Sequence, residues 1–494
     1  MIVRESGILM PIFSLPSKYG IGCFSKEAYQ FVDQLKKAGQ KKWQILPLGP
    51  TSFGDSPYQS FSTFAGNPYF IDLETLICEG LLTEAECSAC DFGNRPDQID
   101  YEKLGKARFK ILKMAYKRFT KTAGYEKFIK KSAWWLDDYS LFMALKDKHD
   151  SSSWDTWETP YRNRDPEALN KARKKLSDLI GFYCFQQYKF ARQWNRLHKY
   201  AAKKGIEIIG DLPIYVAFDS ADAWANPQMF QFNKKNEPIA VAGCPPDAFS
   251  PTGQLWGNPL YKWEYHKETG YDWWFKRIAH TFTLFDVVRI DHFRGFDEYY
   301  SIPAGNKDAV IGEWMPGPSM DFFDAVKEKF GTLKIIAEDL GFLTDTVMKM
   351  LEDSGFPGMK VIQFAFDSRE SANYLPHTYI RNCVVYTGTH DNDTTRGWYQ
   401  SANDKTRNFA REYLRRPKLK ADQRVSWEFI AMAMSSVADL CVIPIQDYLC
   451  LGSSARINTP STLGNNWVWR MKKNQISKNT LKEIRRMTKL YGRL

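Results

Sequence analysis

Acidic side chains stand at the ends of several short apolar segments of this sequence. The acids are Asp211, Asp291, Glu338 and Asp391. A histidine neighbours two of them, as His292 after Asp291 and His390 before Asp391. Two carboxylates in opposite protonation states can cleave a glycosidic bond, one as nucleophile and one as general acid. The pattern therefore predicts glycoside chemistry.

An arginine lies two residues before one of these acids. Alternation along a strand puts Arg289 and Asp291 on the same side, where the arginine should lower the pKa of Asp291 and keep it an ionised nucleophile. Glu338 follows an apolar run, so burial should raise its pKa and suit it as a general acid. The alternative is a set of structural ion pairs, but burying so many acids together is costly without a function.

The elements that position these residues are eight apolar segments, which we predict to be strands buried on both faces. They span residues 43–48, 69–73, 206–210, 286–290, 334–337, 360–364, 383–386 and 441–445. Helical patterns lie between them, as at 26–38 and 182–203. Eight such units indicate an α/β fold, a closed (β/α)8 TIM barrel, whose active site lies at the C-terminal ends of the strands. A doubly wound open sheet is the alternative.

Two long insertions interrupt the predicted barrel. Residues 74–180 are helical in pattern and charged, and we expect them to form an inserted helical subdomain. Residues 221–283 are rich in Pro, Gly, Asn and Trp and indicate long ordered loops over a site. Nothing after the eighth segment is long enough for a C-terminal β-sandwich, so residues 1–494 are expected to form a single catalytic domain.

Two loop segments combine turn residues with side chains that can bind sugars. In residues 242–261, Trp256 offers a stacking face, while Gln254, Asn258 and Asp247 offer hydrogen bonds. Residues 54–62, which include Ser56 and Tyr58, follow the first predicted strand and have the same character. An ordinary surface loop is the alternative for both segments.

Composition excludes several classes of protein. A hydrophobic share of 44% and a charged share of 25% are typical of globular chains and exclude disorder. The net charge is +11, but no Lys/Arg block marks a nucleic-acid-binding arm. No apolar run reaches the roughly 18 residues of a membrane span, and Glu5 with two early prolines argues against a signal peptide. A soluble, cytoplasmic protein is expected.

Metal and nucleotide chemistry find little support. The nine cysteines lack framework spacing, and the CxxC at Cys87–Cys90 has no second ligand pair. Residues 391–395 match the DxDxT motif of phosphate-transferring aspartates, but polar residues precede them, and the EF-hand alternative fails at Ala402. No GxxxxGK[ST] or GxGxxG motif occurs. We therefore expect no metal and no cofactor.

Long motifs give the chain a specific resemblance. They are WQILPLGPT at 43–51, SPYQ at 56–59, AGNP at 65–68, GDLPIYVA at 210–217, RIDHFRG at 289–295, IAEDLG at 336–341 and TGTHDND at 387–393. With these motifs the chain resembles the amylomaltase family, the 4-α-glucanotransferases or disproportionating enzymes, in its short bacterial form. The match extends from residue 15 to residue 470.

The resemblance implies a retaining transfer of α-1,4-glucan segments on a TIM barrel. By motif position, Asp291 is expected to be the nucleophile, Glu338 the acid/base, and Asp391 the residue that orients sugar hydroxyls and stabilises the transition state. The resemblance places Arg289, His292, His390, Asp211 and Tyr58 in the same subsite, Trp256 and Gln254 in the loop over the acceptor side, and Asn458 in the cleft.

The expected partners are malto-oligosaccharides and other α-1,4-glucans, with no nucleic acid, no membrane and no obligate protein partner. Cys244 and Ala248 stand where the family pattern leads us to expect Val and Tyr, and Pro460-Ser461 replaces Pro-Gly. These departures bear on acceptor preference. Two alternatives remain at this stage, a plain α-glucan hydrolase and a non-catalytic α-glucan-binding protein.

Overall fold

Twelve strands and a set of helices make up the part of the chain that the computed structural model describes, residues 4–246, 250–341, 343–366, 374–422 and 424–494. The strands are β1 Glu5–Leu9, β2 Lys42–Gln44, β3 Glu207–Pro213, β4 Ala240–Cys244, β5 Gln254–Pro259, β6 Val287–Asp291, β7 Glu298–Pro303, β8 Glu313–Pro316, β9 Ile335–Ala337, β10 Gly358–Val361, β11 Cys383–Tyr386 and β12 Leu440–Pro444.

The helices lie mostly between successive barrel strands. They are α1 Lys26–Lys37, α2 Leu73–Cys78, α3 Glu84–Ser88, α4 Tyr101–Arg118, α5 Ala123–Lys148, α6 Thr159–Arg162, α7 Pro166–Lys175, α8 Ser177–Lys203, α9 Ala221–Ala225, α10 Trp263–Glu268, α11 Asp272–Leu284, α12 Ser319–Phe330, α13 Asp345–Ser354, α14 Thr395–Ser401, α15 Asp404–Tyr413, α16 Val425–Ser435, α17 Ile445–Tyr448 and α18 Lys478–Leu490.

Eight strands pair in parallel in the order β10-β11-β12-β1-β2-β3-β6-β9. The first strand of the chain pairs with the last, with Glu5 opposite Leu440 and Leu9 opposite Pro444. Between the two end strands, β9 and β10, the Ala337 amide donates to the Pro357 carbonyl at 3.0 Å. The result is a nearly closed (β/α)8 TIM barrel, as the sequence predicts.

Seven of the eight predicted strand segments overlap barrel strands, and the prediction for residues 69–73 is wrong. There Asn67 accepts a hydrogen bond from the Tyr69 amide and starts a 3₁₀ turn, Pro68–Phe70. Asp72 then caps α2 through the Thr75 amide. Side-chain caps thus satisfy the backbone locally and prevent strand pairing. The barrel strand that the sequence analysis did not predict is β1, because Ser6 and Gly7 weaken its apolar pattern.

The segments between strands differ in character. Helices α2–α8 lie between β2 and β3. The stretch 221–283, predicted as loops, contains β4 and β5, which join β7 and β8 in an antiparallel sheet of order β5-β4-β7-β8. Its strands pair partly with residues beyond the stretch, so the local pattern did not reveal them. Arg277 of α11 donates to the Pro213 carbonyl at the end of β3, and Asn258 of β5 donates to the Val216 carbonyl just beyond it.

The barrel interior is filled by one apolar cluster. Its members are Leu9, Ile209, Val287, Ile336, Met359, Val361, Val384, Tyr386 and Val442. A larger cluster packs between the strands and the surrounding helices. None of the nine cysteines, all of which lie in the described residues, is part of a disulfide bond. No helix within the described residues is long and apolar enough to cross a membrane.

Candidate active site

The predicted acids meet at the C-terminal ends of neighbouring barrel strands. The register pairs Asp211 of β3 with Arg289 of β6, and Ile290 of β6 with Ala337 of β9. Asp291 and Glu338 are the next residues of those two strands. The Glu338 amide donates to the Ile290 carbonyl at 3.0 Å, so the pairing continues to this point. Strand register therefore places the two acids side by side.

Arg289 lies at the centre of the acid cluster. Its Nη1 is 2.7 Å from Asp211 Oδ2 and 2.8 Å from Asp291 Oδ1, while Nη2 is 3.9 Å from Glu338 Oε2. The arginine side chain is only 4% exposed. One buried guanidinium thus contacts three carboxylates from three adjacent strands, which confirms the predicted contact between Arg289 and Asp291.

Burial governs the protonation of the two central acids. It raises the pKa of Asp291 above the ordinary value; Arg289 acts in the opposite direction, and the charges of Asp211 and Asp391 raise the pKa further. The expectation that Arg289 would lower this pKa overall is therefore wrong, because burial outweighs the effect of the arginine. Burial likewise raises the pKa of Glu338, with Arg289 opposing and Asp291 adding to the rise. When Asp291 is ionised, its charge favours a protonated Glu338.

The turn after β6 fixes the orientation of Glu338. His292 adopts a left-handed backbone conformation with φ of 53°, which is uncommon for a residue other than glycine. Its amide donates to Glu338 Oε2 at 2.7 Å, and the Leu340 amide donates to Oε1 at 2.9 Å. Burial lowers the pKa of His292 to about 3, so its ring is neutral. The strained turn and two backbone donors hold the Glu338 carboxyl in place.

A second group of residues surrounds Asp391 after β11. Asn458 Nδ2 donates to Asp391 Oδ1 at 2.7 Å, and His390 Nε2 is 3.3 Å from Oδ2. Burial lowers the pKa of His390, against the opposing effect of Asp391. Arg456, which sequence reasoning missed, donates to the Asp391 carbonyl and to the Asn458 carbonyl, both at 2.7 Å. Asp391 keeps 42% of its side-chain surface exposed and available to a ligand.

Tyr58 links the two groups. Its hydroxyl donates to Asp211 Oδ2 at 2.8 Å, and its ring stacks on His390 at 5.2 Å between centroids. Trp467, another residue that sequence reasoning missed, lies 5.8 Å from the Tyr58 ring. Ser56 accepts a hydrogen bond from the Tyr58 amide at 3.2 Å and shapes this loop. Trp467 lies in the segment GNNWVWR at 464–470, with which the match to the amylomaltase family ends, and this is the signal that could have identified it.

Several side chains of the predicted sugar-binding loop already make contacts within the protein, so only some of them are available to a sugar. Trp256 meets the His292 ring edge-on at 4.8 Å and donates through Nε1 to Gln254 Oε1 at 3.1 Å. The side chain of Asn258 instead donates through Nδ2 to the Val216 carbonyl at 2.8 Å, and its Oδ1 accepts from Gln59 Nε2 at 3.1 Å. Asn258 therefore supports the loop from within. Asp247 and Ala248 lie outside the described residues.

A buried acid supports the loop that carries Asp391. Asp447 of α17 accepts hydrogen bonds from the Thr387 hydroxyl at 2.5 Å and from the Thr395 hydroxyl at 2.7 Å. The Thr395 amide donates to the same carboxyl at 2.8 Å. Both ends of the 387–395 segment are thus fixed to α17. Sequence reasoning missed Asp447, since its neighbours along the chain give no sign of this role.

The side chains described so far suit acid–base and nucleophilic chemistry. Within residues 4–246, 250–341, 343–366, 374–422 and 424–494, no group of three or more His, Cys, Asp or Glu is arranged to hold a metal ion. In the DxDxT segment, Asp393 accepts from Ser453 at 2.6 Å. The exposed carboxylate of Asp391, the raised pKa of Glu338 and an arginine shared between carboxylates suit the cleavage of a sugar–oxygen bond.

Known proteins are similar to this chain along almost its whole length. The sequence profile of the family described as 4-alpha-glucanotransferase matches residues 10–476. The 4-alpha-glucanotransferase of Clostridium butyricum is 50% identical over 488 residues, which cover 98% of this chain and 100% of that relative. The Thermus thermophilus 4-alpha-glucanotransferase is 44% identical over 501 residues, with 99% of each chain covered. The solved amylomaltase of Streptococcus agalactiae, in complex with acarbose, is 40% identical, with a TM-score of 0.96 over 99% of each chain.

Proposed function

Because this chain belongs to the 4-alpha-glucanotransferase family, we propose that it moves α-1,4-glucan segments between malto-oligosaccharides by a retaining double displacement through a covalent glucosyl-aspartate. The resemblance to amylomaltases that the motifs indicated is thereby confirmed. The residue roles and the mechanism given below are our proposal.

One observation supports this mechanism most directly. Asp291 and Glu338 end adjacent strands and share the buried guanidinium of Arg289, at 2.8 and 3.9 Å. A retaining mechanism needs two carboxyl groups close together, one ionised and one protonated. The shared cation stabilises the ionised state of the pair, and burial keeps the second proton bound.

In the first displacement, Asp291 attacks the anomeric carbon of the donor glucan. The glycosidic C–O bond breaks, and Glu338 gives its proton to the departing 4-oxygen. A β-linked glucosyl ester of Asp291 forms, and the leaving glucan departs with a free 4-hydroxyl. Asp391 accepts hydrogen bonds from hydroxyls of the distorted sugar ring.

In the second displacement, the 4-hydroxyl of an acceptor glucan enters the place of the leaving group. Glu338, now ionised, takes the hydroxyl proton as the oxygen attacks the anomeric carbon. The ester bond to Asp291 breaks, and its carboxylate is regenerated. Two inversions at the same carbon give a product with the original α configuration.

Transfer exceeds hydrolysis only if sugar captures the intermediate before water does. Trp256 lies beside His292, next to the reacting acids, and offers a half-exposed indole face to an acceptor. Strand β5, which carries Trp256, belongs to the antiparallel sheet that also contains β8. We propose that these elements exclude water and capture the acceptor.

The remaining site residues position these groups. We propose that Arg289 and Asp211 set the charge of the cleft, and that Tyr58 and His390 form an apolar platform for the sugar at the cleavage point. Asn458 orients Asp391, and Ser56 and Asn258 support the loops. Gln254 orients Trp256 through its indole N–H.

Product analysis from maltotriose tests this function. A glucanotransferase produces glucose together with a ladder of longer maltodextrins, which chromatography separates. The alternative α-glucan hydrolase produces shorter sugars only, and a non-catalytic glucan-binding protein produces none. Absence of longer products would contradict the proposal.

The domain organisation, the binding partners and the cellular location remain predictions from the sequence. We propose a single catalytic unit over residues 1–494, with residues 74–180 as an inserted helical subdomain and residues 221–283 as the active-site insertion. Independence from nucleic acid, membranes and obligate protein partners is proposed in the same way, as is a cytoplasmic location.

A further inference from the structure

A cavity of about 250 Å³ lies among helices α5, α9, α10 and α11. It shares no lining residue with the acid cluster or with the Trp256 loop. Its volume is below the ~300–1,000 Å³ of sites for drug-sized ligands. It therefore suits a short piece of a larger molecule, about one or two sugar rings.

Aromatic side chains form one side of this cavity. Trp134 is 47% exposed, which is unusual for so large an apolar side chain. Its ring packs edge-on against Phe64 at 4.8 Å between centroids, so its orientation is fixed. Trp273 and the half-buried Tyr265 also line the cavity. A fixed, open indole is a stacking surface for the apolar face of a sugar ring.

Unused hydrogen-bonding groups accompany the aromatic rings. Within the described part of the chain, the indole N–H groups of Trp134 and Trp273 make no hydrogen bond. His266, which is 1% exposed and lines the cavity, has a ring nitrogen, Nε2, without a partner. Buried polar groups without partners are uncommon in folded proteins and indicate a missing polar ligand or water.

The charges around the cavity are already paired. Asp272 contacts Lys276 at 2.7 Å, and Asp138 contacts Arg164 at 2.7 Å. Asp222 accepts a hydrogen bond from the Thr63 amide at 2.8 Å. These pairs leave no free cation cluster for a phosphate or other anion. The chemistry favours a neutral ligand with apolar ring faces and many hydroxyls.

We propose that this cavity is a second binding site for α-1,4-glucan, separate from the catalytic cleft. The proposal rests on the proposed function, because that function supplies the polymer that the second site would take. A glucan long enough to reach both sites gains affinity through effective concentration. Maltotriose turnover, which needs only the cleft, does not depend on it.

Calorimetric titration of maltoheptaose into the slow Glu338→Gln variant tests the proposal. We expect two binding sites per chain, and one after Trp134→Ala is added, or a weakening of the second site by about ten-fold or more. Trp427→Ala provides the matched control, because Trp427 is also half-buried on the surface but does not line the cavity. The control should keep both sites.

A second variant distinguishes loss of the binding site from a general loss of packing around Trp134. Ala225→Arg fills the cavity from α9 while leaving Trp134 and Phe64 in place, and it should also remove the second site. A single site in the parent, or two sites that survive both substitutions, overturns the proposal. Maltotriose disproportionation by the enzyme with Glu338 intact is measured in parallel, so that failure of the proposed function is seen separately.

Discussion

A single guanidinium nitrogen, Arg289 Nη1, donates to both carboxylate oxygens of Asp211, at 2.8 and 2.7 Å. The Asp211 side chain is fully buried by this contact and by the Tyr58 hydroxyl. Much of the positive charge of Arg289 is therefore already balanced before Asp291 approaches the same nitrogen. Burial raises the pKa of Asp291 more than the arginine lowers it, and the neighbouring charge of Asp211 adds to the rise.

The first prediction follows from this sharing. Asp211→Asn removes a negative charge that raises the pKa of Asp291, so that pKa should fall. Because Asp291 must be ionised to attack, the acid limb of the pH profile of kcat/KM should move to lower pH. Asp286→Asn, at the opposite end of β6, is the control and should leave the limb in place. An unchanged limb, or a limb at higher pH, would contradict the charge-sharing account.

The second prediction concerns the reacting acids. Asp291→Asn and Glu338→Gln should each lower kcat by several orders of magnitude, since general acid catalysis alone contributes roughly 10²–10⁴-fold. A maltosyl fluoride donor needs no protonation of its leaving group, so it should restore glycosyl-enzyme formation in Glu338→Gln and not in Asp291→Asn.

Azide provides an independent assignment of these two acids. Glu338→Ala should form an α-glycosyl azide through the aspartyl ester, whereas Asp291→Ala should form the β-anomer by direct displacement. The opposite pattern of anomers, identified by nuclear magnetic resonance, would exchange the two roles.

The third prediction separates acceptor capture from bond cleavage. Trp256→Ala should raise the ratio of free reducing ends to elongated products, because acceptor occupancy falls by about ten-fold while water needs no aromatic surface. Trp256→Phe keeps a ring beside His292 and should stay near the parent ratio. A lower melting temperature with an unchanged ratio would show that Trp256 serves the stability of the loop alone.

The fourth prediction concerns Arg456. Arg456→Met removes two hydrogen bonds of a charged donor to the Asp391 and Asn458 carbonyls, and kcat should fall roughly ten- to hundred-fold. If Arg456 acts by positioning, its effect and that of Asn458→Ala should not add in the double variant. Arg486→Met, at an exposed pair with Glu483, is the control. Additive losses would point to separate roles.

The fifth prediction addresses the DxDxT segment. Exhaustive chelation should leave the transfer rate unchanged, because we assign the chemistry to carboxyl groups and Asp393 is engaged by Ser453. Loss of activity on chelation, with recovery on addition of Mg²⁺, would favour a metal role for Asp391 and Asp393 instead.

The barrel was predictable where a buried strand is written in the sequence as an apolar run, which β1 with its Ser6 and Gly7 is not. Segments such as 383–386 and 441–445 are continuous apolar runs, and the structure has strands there. Residues 69–73 are also mostly apolar, but Asn67 and Asp72 cap local turns instead. The antiparallel sheet was not predicted, because β4 pairs with β7, about 60 residues further along the chain.

The site was predictable where chemistry-bearing residues follow strands. Arg289 contacts Asp291, as their spacing indicates, and it also lies near Glu338. Arg456 and Asp447 act through the backbone and through threonine hydroxyls from segments far along the chain. The direction of the Asp291 pKa shift depends first on how deeply the folded barrel buries this acid, and then on Asp211, whose position depends on the register of two strands.

The pairing of β1 with β12 also determines when the barrel can form during synthesis. Glu5–Leu9 emerges from the ribosome first, but its partner Leu440–Pro444 is made more than 400 residues later. At about 5–20 residues per second, that interval lasts roughly 20–90 s. Throughout it, β1 has only β2 as a neighbour and presents an open strand edge to the cell. In a nascent chain of this protein, one edge of β1 therefore stays without its partner strand until the last barrel strand has been translated.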